Sequence, residues 1–419
     1  MTYHSITPFI HIVHSPLDRK QVDIEIVLSA GGSYYEEPID AGRKHLMEHC
    51  IATRTQDMDL IEFKNWQFRE NIMINAYTSP TLLAVNSSSH KEQFPIAMKA
   101  CCQMIFEPMF DQAVLDQEKE VVLREITERT GDPEYVVYYW TMDKTFAPNS
   151  VERYQTLGSM ESVASTTVED LVRLHKDNLS KSHIVINVTG GGIDLKYIVD
   201  LVQDYLKTNN SELLDSTTKL AINNQPFNQI LDFGFLPLVH PQAHAQASLT
   251  MFIPAPVSLD NEPTLKVFEE LFLKYYGVLY HTLRDTKGYI YGMYSTFRKD
   301  IGMLEINMSC ELEYIKPIVD TTKEIFGNFD KYFDLTKFQE LKKILRLKID
   351  LSSDSPSSRF SNNNLLQFGR FLSFEDYEKL LNSVKPQDVQ DLYNSIQSNL
   401  SKMQVVAVSK DDKIIDVVL

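Results

Sequence analysis

The residues best suited to chemistry stand in one short run, His45-Leu46-Met47-Glu48-His49. On a helix, residues four apart lie one turn above each other, so His45 and His49 share a face, with Glu48 on the same side. Two imidazoles beside a carboxylate suit a zinc ion that acidifies a water molecule, the carboxylate taking the proton. The order H-x-x-E-H inverts the H-E-x-x-H of the better known zinc-protease motif. Such a centre needs one more protein ligand and an open position for water.

Asp111 to Arg129 supplies candidates for that ligand. Its apolar stripe, Val114, Val121 and Val122, carries Glu118 and Glu125 on the same face, because seven residues make almost two whole turns. A carboxylate on the buried stripe of a helix requires a cation or a hydrogen-bonding partner. By spacing alone most such residues are solvated groups at the stripe's edge.

The elements that position these groups follow from pattern. Phe9 to His14 and Val22 to Leu28 alternate like strands, and Ala30-Gly31-Gly32-Ser33 ends the second. Pro38 and Asp40 precede the His45 helix and mark its start. Helix is expected from Asp59 to Phe68 and from Phe94 to Phe106, with strands Ile72 to Ser79 and Leu82 to Ser87 between them. Helix Val168 to Asp177 and strand Ile184 to Val188 lead to Gly190-Gly191-Gly192, which reads as a turn because it lacks the spacing of a phosphate-binding loop. Lys207 to Gln229 is polar and reads as a linker. Beyond it come a strand at Ser248 to Ile253, one long helix from Pro263 to Arg284 with Gly288 past its end, and paired strands Tyr289 to Phe297 and Met303 to Cys310. Helices over Ile315 to Phe329, Leu335 to Ile349, Ser358 to Arg370 and Gln387 to Ile396 precede a last strand at Met403 to Val408. Strand and helix content thus recurs in both halves. The expected fold is α+β: two related domains, each a mostly antiparallel sheet packed with helices, at 1–207 and 231–419 around a linker at 208–230.

Composition bounds the function. At 419 residues the chain exceeds one core and fits two domains. A formal charge of −16 argues against nucleic acid and anionic membranes, and no apolar run reaches the length of a membrane span. Met1 to Pro8 lacks the pattern of a signal peptide. Cys50, Cys101, Cys102 and Cys310 are too sparse for a disulfide framework and are expected as buried free thiols in a reducing compartment, so a cytoplasmic protein. Of the other histidines, His240 and His244 flank Pro241 and read as loop residues, and His281 as packed or capping. His11 and His14 fall at a strand end, where partial exposure is ordinary.

Taken together, His45-Leu46-Met47-Glu48-His49, Glu118, Glu125 and Asp132-Pro133 resemble the pitrilysin-type zinc peptidases, which include insulysin and the mitochondrial processing peptidases. The resemblance implies Zn²⁺ held by His45, His49 and Glu125, Glu48 as catalytic base, and Glu118 supporting the site without touching the metal. Asn75-Ala76-Tyr77-Thr78 is similar to the family's Asn-Ala-x-Thr strand, implying that Asn75 and Ala76 hold an extended peptide substrate at a sheet edge. Arg284 and Tyr291 match the family's Arg…Gly-Leu-x-Tyr segment, implying contact with the substrate backbone and the tetrahedral intermediate. A chain of this length supplies half of the closed chamber built by longer members, so a homodimer is expected, with a heterodimer of related subunits as the alternative. The rival reading is a non-catalytic or partner-dependent subunit, and a third is an amidase acting on small molecules. Departures from the family pattern are Leu46 where the family has Phe, Asn71 and Ile72 in a stretch where the family has small glycines, and Arg54 where it has Gly; none removes a ligand or the base.

Overall fold

The computed structural model describes residues 1–215, 228–258, 260–353 and 371–419. The alternation Val22, Ile24, Ile26, Leu28 forms strand β3 (Gln21–Leu28), its apolar side buried and Asp23 and Glu25 on the other face. Around it lie β1 (Thr2–Ser5), β2 (Ile10–Ser15), β4 (Met73–Thr78), β5 (Leu83–His90) and β6 (Ile184–Gly190) in the order β1-β2-β6-β3-β5-β4. Only β2 and β6 run parallel. Helices α1 (Arg43–Ala52), α2 (Leu60–Glu70), α3 (Phe94–Phe106) and α4 (Gln112–Thr130) follow in the chain, α1 and α2 between β3 and β4, α3 and α4 after β5. Leu46, Met47 and Ile51 of α1, Phe63 of α2 and Leu115 and Val122 of α4 join the apolar side of the sheet in one core.

A second sheet, β7 (Phe235–Val239), β8 (Ala247–Pro254), β9 (Ile290–Arg298), β10 (Met303–Cys310) and β11 (Gln404–Ser409), has the order β7-β11-β8-β10-β9. Its one parallel pair is β7 with β11. This repeats β2-β6-β3-β5-β4 strand for strand and direction for direction, so the two domains are related; β1 has no counterpart. The architecture is the α+β pair of mostly antiparallel sheets expected.

Several boundaries differ from expectation. By contacts, Met1–Arg129, Tyr154–Pro226 and Ser352–Ser373 form one unit, and Thr130–Arg153, Phe227–Leu351 and Phe374–Leu419 the other. Residues 130–153, expected in the first domain, therefore belong with the second sheet. The reason is helix α5 (Pro133–Thr145), which the sequence reading passed over: Val137, Trp140 and Met142 pack with Phe252, Val406 and Val408. Helices Leu195–Asn209 and Phe374–Ser383 and strands β1 and β7 are further additions. The expected helix 263–284 is broken. It runs as Glu262–Phe268, loosens into a π-turn at Glu269–Leu273, stops, and resumes at Val278–Tyr280 and a second π-turn at His281–Thr286. Gly277 marks the break, since a Cβ there would press on the Phe272–Leu273 backbone. Most of the expected linker (residues 216–227) and the expected helix 358–370 lie outside the described residues.

All four cysteines are buried free thiols. His11 and His14, expected partly exposed, are buried, because β1 pairs along the outer side of β2 and covers them. His281 is exposed and bonded to Asp285 at 2.8 Å. Among the described residues no helix is long and apolar enough to cross a membrane.

Candidate metal centre and active site

Helix α1 buries Leu46, Met47, Cys50 and Ile51 and leaves His45 and His49 half-buried on the flank that meets α4. On α4 the buried stripe is Leu115, Glu118, Val122 and Ile126. It is rotated slightly from the expected Val114–Val121 line, and that rotation puts Glu118 fully inside and Glu125 at the margin. His45 Nε2 and His49 Nε2 lie 3.8 and 3.7 Å from Glu125 Oε2. One donor atom from each of the three residues falls within 4.8 Å of the others, the one such cluster found among the described residues. Two imidazole nitrogens and a carboxylate oxygen form a donor set that fits a zinc ion with a position left open.

The surrounding groups are ordered. Glu118 Oε2 lies 3.1 Å from His49 Nδ1, the ring nitrogen turned away from the cluster. This is the usual way a neighbouring carboxylate fixes a ligand's tautomer and raises its basicity. For His49 burial works downward, but the Glu118 hydrogen bond and the neighbouring carboxylates outweigh it and hold the imidazole above its ordinary value. Burial, with His49 beside it, lowers His45 to about 4, keeping it neutral and able to donate a lone pair. Glu48 Oε2 is 3.9 Å from His45 Nε2, and burial pushes its carboxyl up to about 7. A carboxylate in that range is matched to accepting and returning a proton near neutral pH.

Strand β4, the edge of its sheet, packs beside α1. The Ile74 N–H donates to Gln67 Oε1, while the Ser79 N–H returns to Leu82. Backbone groups alternate along a strand. Ile74, Ala76 and Thr78 therefore face outward, whereas Met73, Asn75 and Tyr77 bond β5. Ala76 presents its backbone to the free edge; Asn75 offers its side chain only. Arg284 and Tyr291 belong to the second unit. The Arg284 guanidinium donates to the Ile290 carbonyl at 3.0 Å, and the Tyr291 hydroxyl to Glu311 at 3.1 Å, which raises the phenol's pKa.

The departures from the family pattern are accommodated. Arg54 pairs with Asp111 at the head of α4. Asn71 ends α2 at φ +51, a left-handed position that asparagine tolerates in place of glycine. Sequence reasoning passed over Glu36, Lys44 and Gln67. Only Glu36 carried a signal, as an acidic residue just ahead of the helix start.

Two family profiles cover most of the chain: "Insulinase (Peptidase family M16)" matches residues 13–156 and "Peptidase M16 inactive domain" matches 165–345. An uncharacterised zinc protease of Bacillus subtilis, YmxG, is 24% identical over 374 residues, 86% of this chain and 87% of that one. The probable mitochondrial-processing peptidase subunit beta of Schizosaccharomyces pombe is 26% identical over 42% of this chain and 38% of its own. In structure, a protease from Helicobacter pylori superposes with a TM-score of 0.79 at 15% identity, over 97% of this chain and 99% of that one. A protein from Pseudomonas fluorescens described as a peptidase M16 inactive domain gives 0.74 at 15%, over 97% of each chain. These matches and the repeated sheet agree: the chain belongs to the pitrilysin-type M16 peptidase family.

Proposed function

We propose that the chain is a zinc-dependent endopeptidase that hydrolyses peptides bound in extended form. The observation that carries this reading is the convergence of His45, His49 and Glu125 with the raised carboxyl of Glu48 beside them. Zinc held by the three ligands would supply the Lewis acid that acidifies water and polarises the scissile carbonyl. Glu48 takes a proton from the attacking water and returns it to the leaving amine. Glu118 keeps the His49 ring turned toward the other donors. Ala76 offers the outward N–H and C=O to which an extended substrate pairs, and the Asn75 side chain flanks it. Arg284 and Tyr291 stabilise the negative oxygen of the intermediate, in the working assembly from a second subunit. That assembly is a homodimer, since this chain carries both sets of residues. The four buried thiols support a reducing, cytoplasmic setting.

Peptide-library cleavage by purified protein, with metal analysis and Glu48→Gln as control, tests this. Glu48→Gln should retain about one zinc per chain and lose about 10²-fold or more in kcat. Zinc without cleavage in the wild type would favour the alternative, a partner-dependent or non-catalytic subunit, with which the "inactive domain" match over 165–345 is compatible. Absence of both would sink the peptidase reading. Mixing Glu48→Gln with Arg284→Ala chains should restore part of the activity, and no recovery would count against the shared site.

A further inference from the structure

Helix α1 begins unusually. A helix is ordinarily capped by Ser, Thr, Asp or Asn in extended conformation, whose side chain accepts a first-turn N–H. Here the N-cap is Gly42 at φ +93, a conformation that favours glycine. A Cβ at position 42 would also overlap the Leu157 carbonyl oxygen, and one at Gly158 would overlap Ala41. The crossing of these two backbones excludes a capping side chain at the cap itself. Glu36 takes over from outside: Oε2 accepts the Gly42 N–H at 3.0 Å and Oε1 the Lys44 N–H at 2.6 Å. Its carboxyl lies at the positive end of the helix. Lys44, buried in the same turn, anchors its ammonium on the Ala30 carbonyl at 2.6 Å.

The two histidines of the motif are supported differently. His49 has Glu118 on its Nδ1. The Nδ1 of His45 is buried and has no hydrogen-bond partner among the described residues. No side chain therefore sets the direction of the His45 ring by a hydrogen bond to its back, and its aim depends on where the first turn of α1 sits. We infer that Glu36 is a positioning residue for the metal centre, doing for His45 through the helix backbone what Glu118 does for His49 through its ring. This rests on the zinc reading of His45, His49 and Glu125.

The test compares wild type, Glu36→Gln, Glu36→Gln/Lys44→Met and a control, Asp59→Ala. Asp59 caps α2, which carries none of the candidate ligands, by accepting the Ile61 and Glu62 N–H groups. Zinc affinity is read by chelator competition and by the visible spectrum of the cobalt-substituted protein, well below the melting temperature of the metal-free form. Glu36→Gln should bind zinc about 10- to 100-fold more weakly, as when an outer-shell partner is lost, with altered cobalt bands. Asp59→Ala should lower the melting temperature and leave zinc affinity unchanged. The double variant removes the charge of buried Lys44 together with that of half-buried Glu36; it should regain thermal stability without regaining affinity, and it keeps the test open if the single variant does not fold. Wild-type zinc affinity in Glu36→Gln, or affinity restored in the double variant, would overturn the inference and leave Glu36 as an ordinary cap. A wild-type chain that takes up no zinc would overturn the ligand reading itself, and the inference with it.

Discussion

The candidate metal centre can be compared with a cluster of charged side chains in the second unit that carries the same residue interval. Between β8 and β9, as between β3 and β4, a helical stretch carries three polar residues at matching spacing: Lys266, Glu269 and Glu270 repeat the interval of His45, Glu48 and His49. The helix Leu335–Ser353, which lies beyond β10 as α4 lies beyond β5, is 19 residues long like α4. Counted from its start, Leu341 takes the place of Glu118 and Lys348 that of Glu125. The contacts correspond as well: Lys348 Nζ lies 3.0 Å from Glu270 Oε1, as His49 faces Glu125. In the second unit Lys266, Lys274 and Lys348 surround Glu269 and Glu270, and the charges close internally. In the first, Glu48, Glu118 and Glu125 meet two imidazoles, and no lysine or arginine pairs with them among the described residues. The same fold thus makes either an ion-pair cluster or a cluster that lacks a cation, and the side chains decide which.

Glu125→Lys would copy the second unit's solution into the first. The ammonium should sit where a cation is wanted, so the variant should fold, bind no stoichiometric zinc and cleave nothing. Metal analysis beside circular dichroism reads both, and zinc retained in this variant would break the correspondence between Glu125 and Lys348. The converse, Lys266→His, Glu270→His and Lys348→Glu together, should raise zinc content from about one to about two per chain. If it does not, the π-turn at Glu269–Leu273, rather than charge alone, separates the two sites.

Chelation should act next in size. A ligand that binds only the folded state stabilises by about 3–4 kcal/mol at a hundred to a thousand times its dissociation constant. Removing zinc should therefore lower the wild-type melting temperature and leave that of Glu125→Lys unmoved. Equal shifts in both proteins would mean that zinc acts somewhere other than at this cluster.

The first unit's site was legible because its chemistry is local. His45, Glu48 and His49 fall within one and a half turns, and Glu118 and Glu125 keep a helical interval. The helix carrying Glu118 and Glu125, expected over Asp111 to Arg129, runs Gln112–Thr130, and α3, packed in the same core, runs Phe94–Phe106 as expected to the residue. The likeness of the two units was read from their recurring strand and helix content, but the second unit's counterpart cluster was not, because no histidine flags it and because the chain from strand to helix differs in length, Leu28 to Arg43 against Pro254 to Glu262. The single helix expected over 263–284 failed for a related reason. Its apolar spacing is helical throughout, but the Lys274–Gly277 stop arises where Gly277 meets the backbone of Phe272 and Leu273, which periodicity does not report. Glu36 showed in the sequence only as an acidic residue ahead of the helix, and that it caps was hidden because the residue it substitutes for, Gly42, is excluded from capping by a chain segment more than a hundred residues away.

The last difference between the units is strand β1, which covers β2 while β7 remains an edge. Its cost shows in His11. Burial, and then the charge of His183, hold His11 down at about 4, with Tyr3 Oη 2.9 Å from its Nδ1 and His183 Nδ1 3.1 Å from its Nε2. In the unfolded chain the imidazole titrates near its ordinary value of about 6.5. As the pH falls below that value the unfolded state takes up the proton first, so the stability contributed by a neutral His11 is complete above about 6.5 and drains away toward about 4. His14 and His175 are displaced in the same direction by burial and add to the slope. His11→Phe keeps a ring to stack on Tyr3 and removes one titrating group. Between about pH 7 and about pH 4.5 it should lose about 2 kcal/mol less stability to acid than the wild type, measured by urea unfolding in zinc-free buffer. An unchanged acid slope would mean that β1 opens before His11 is protonated, making the added strand a loosely held flap instead of part of the sheet.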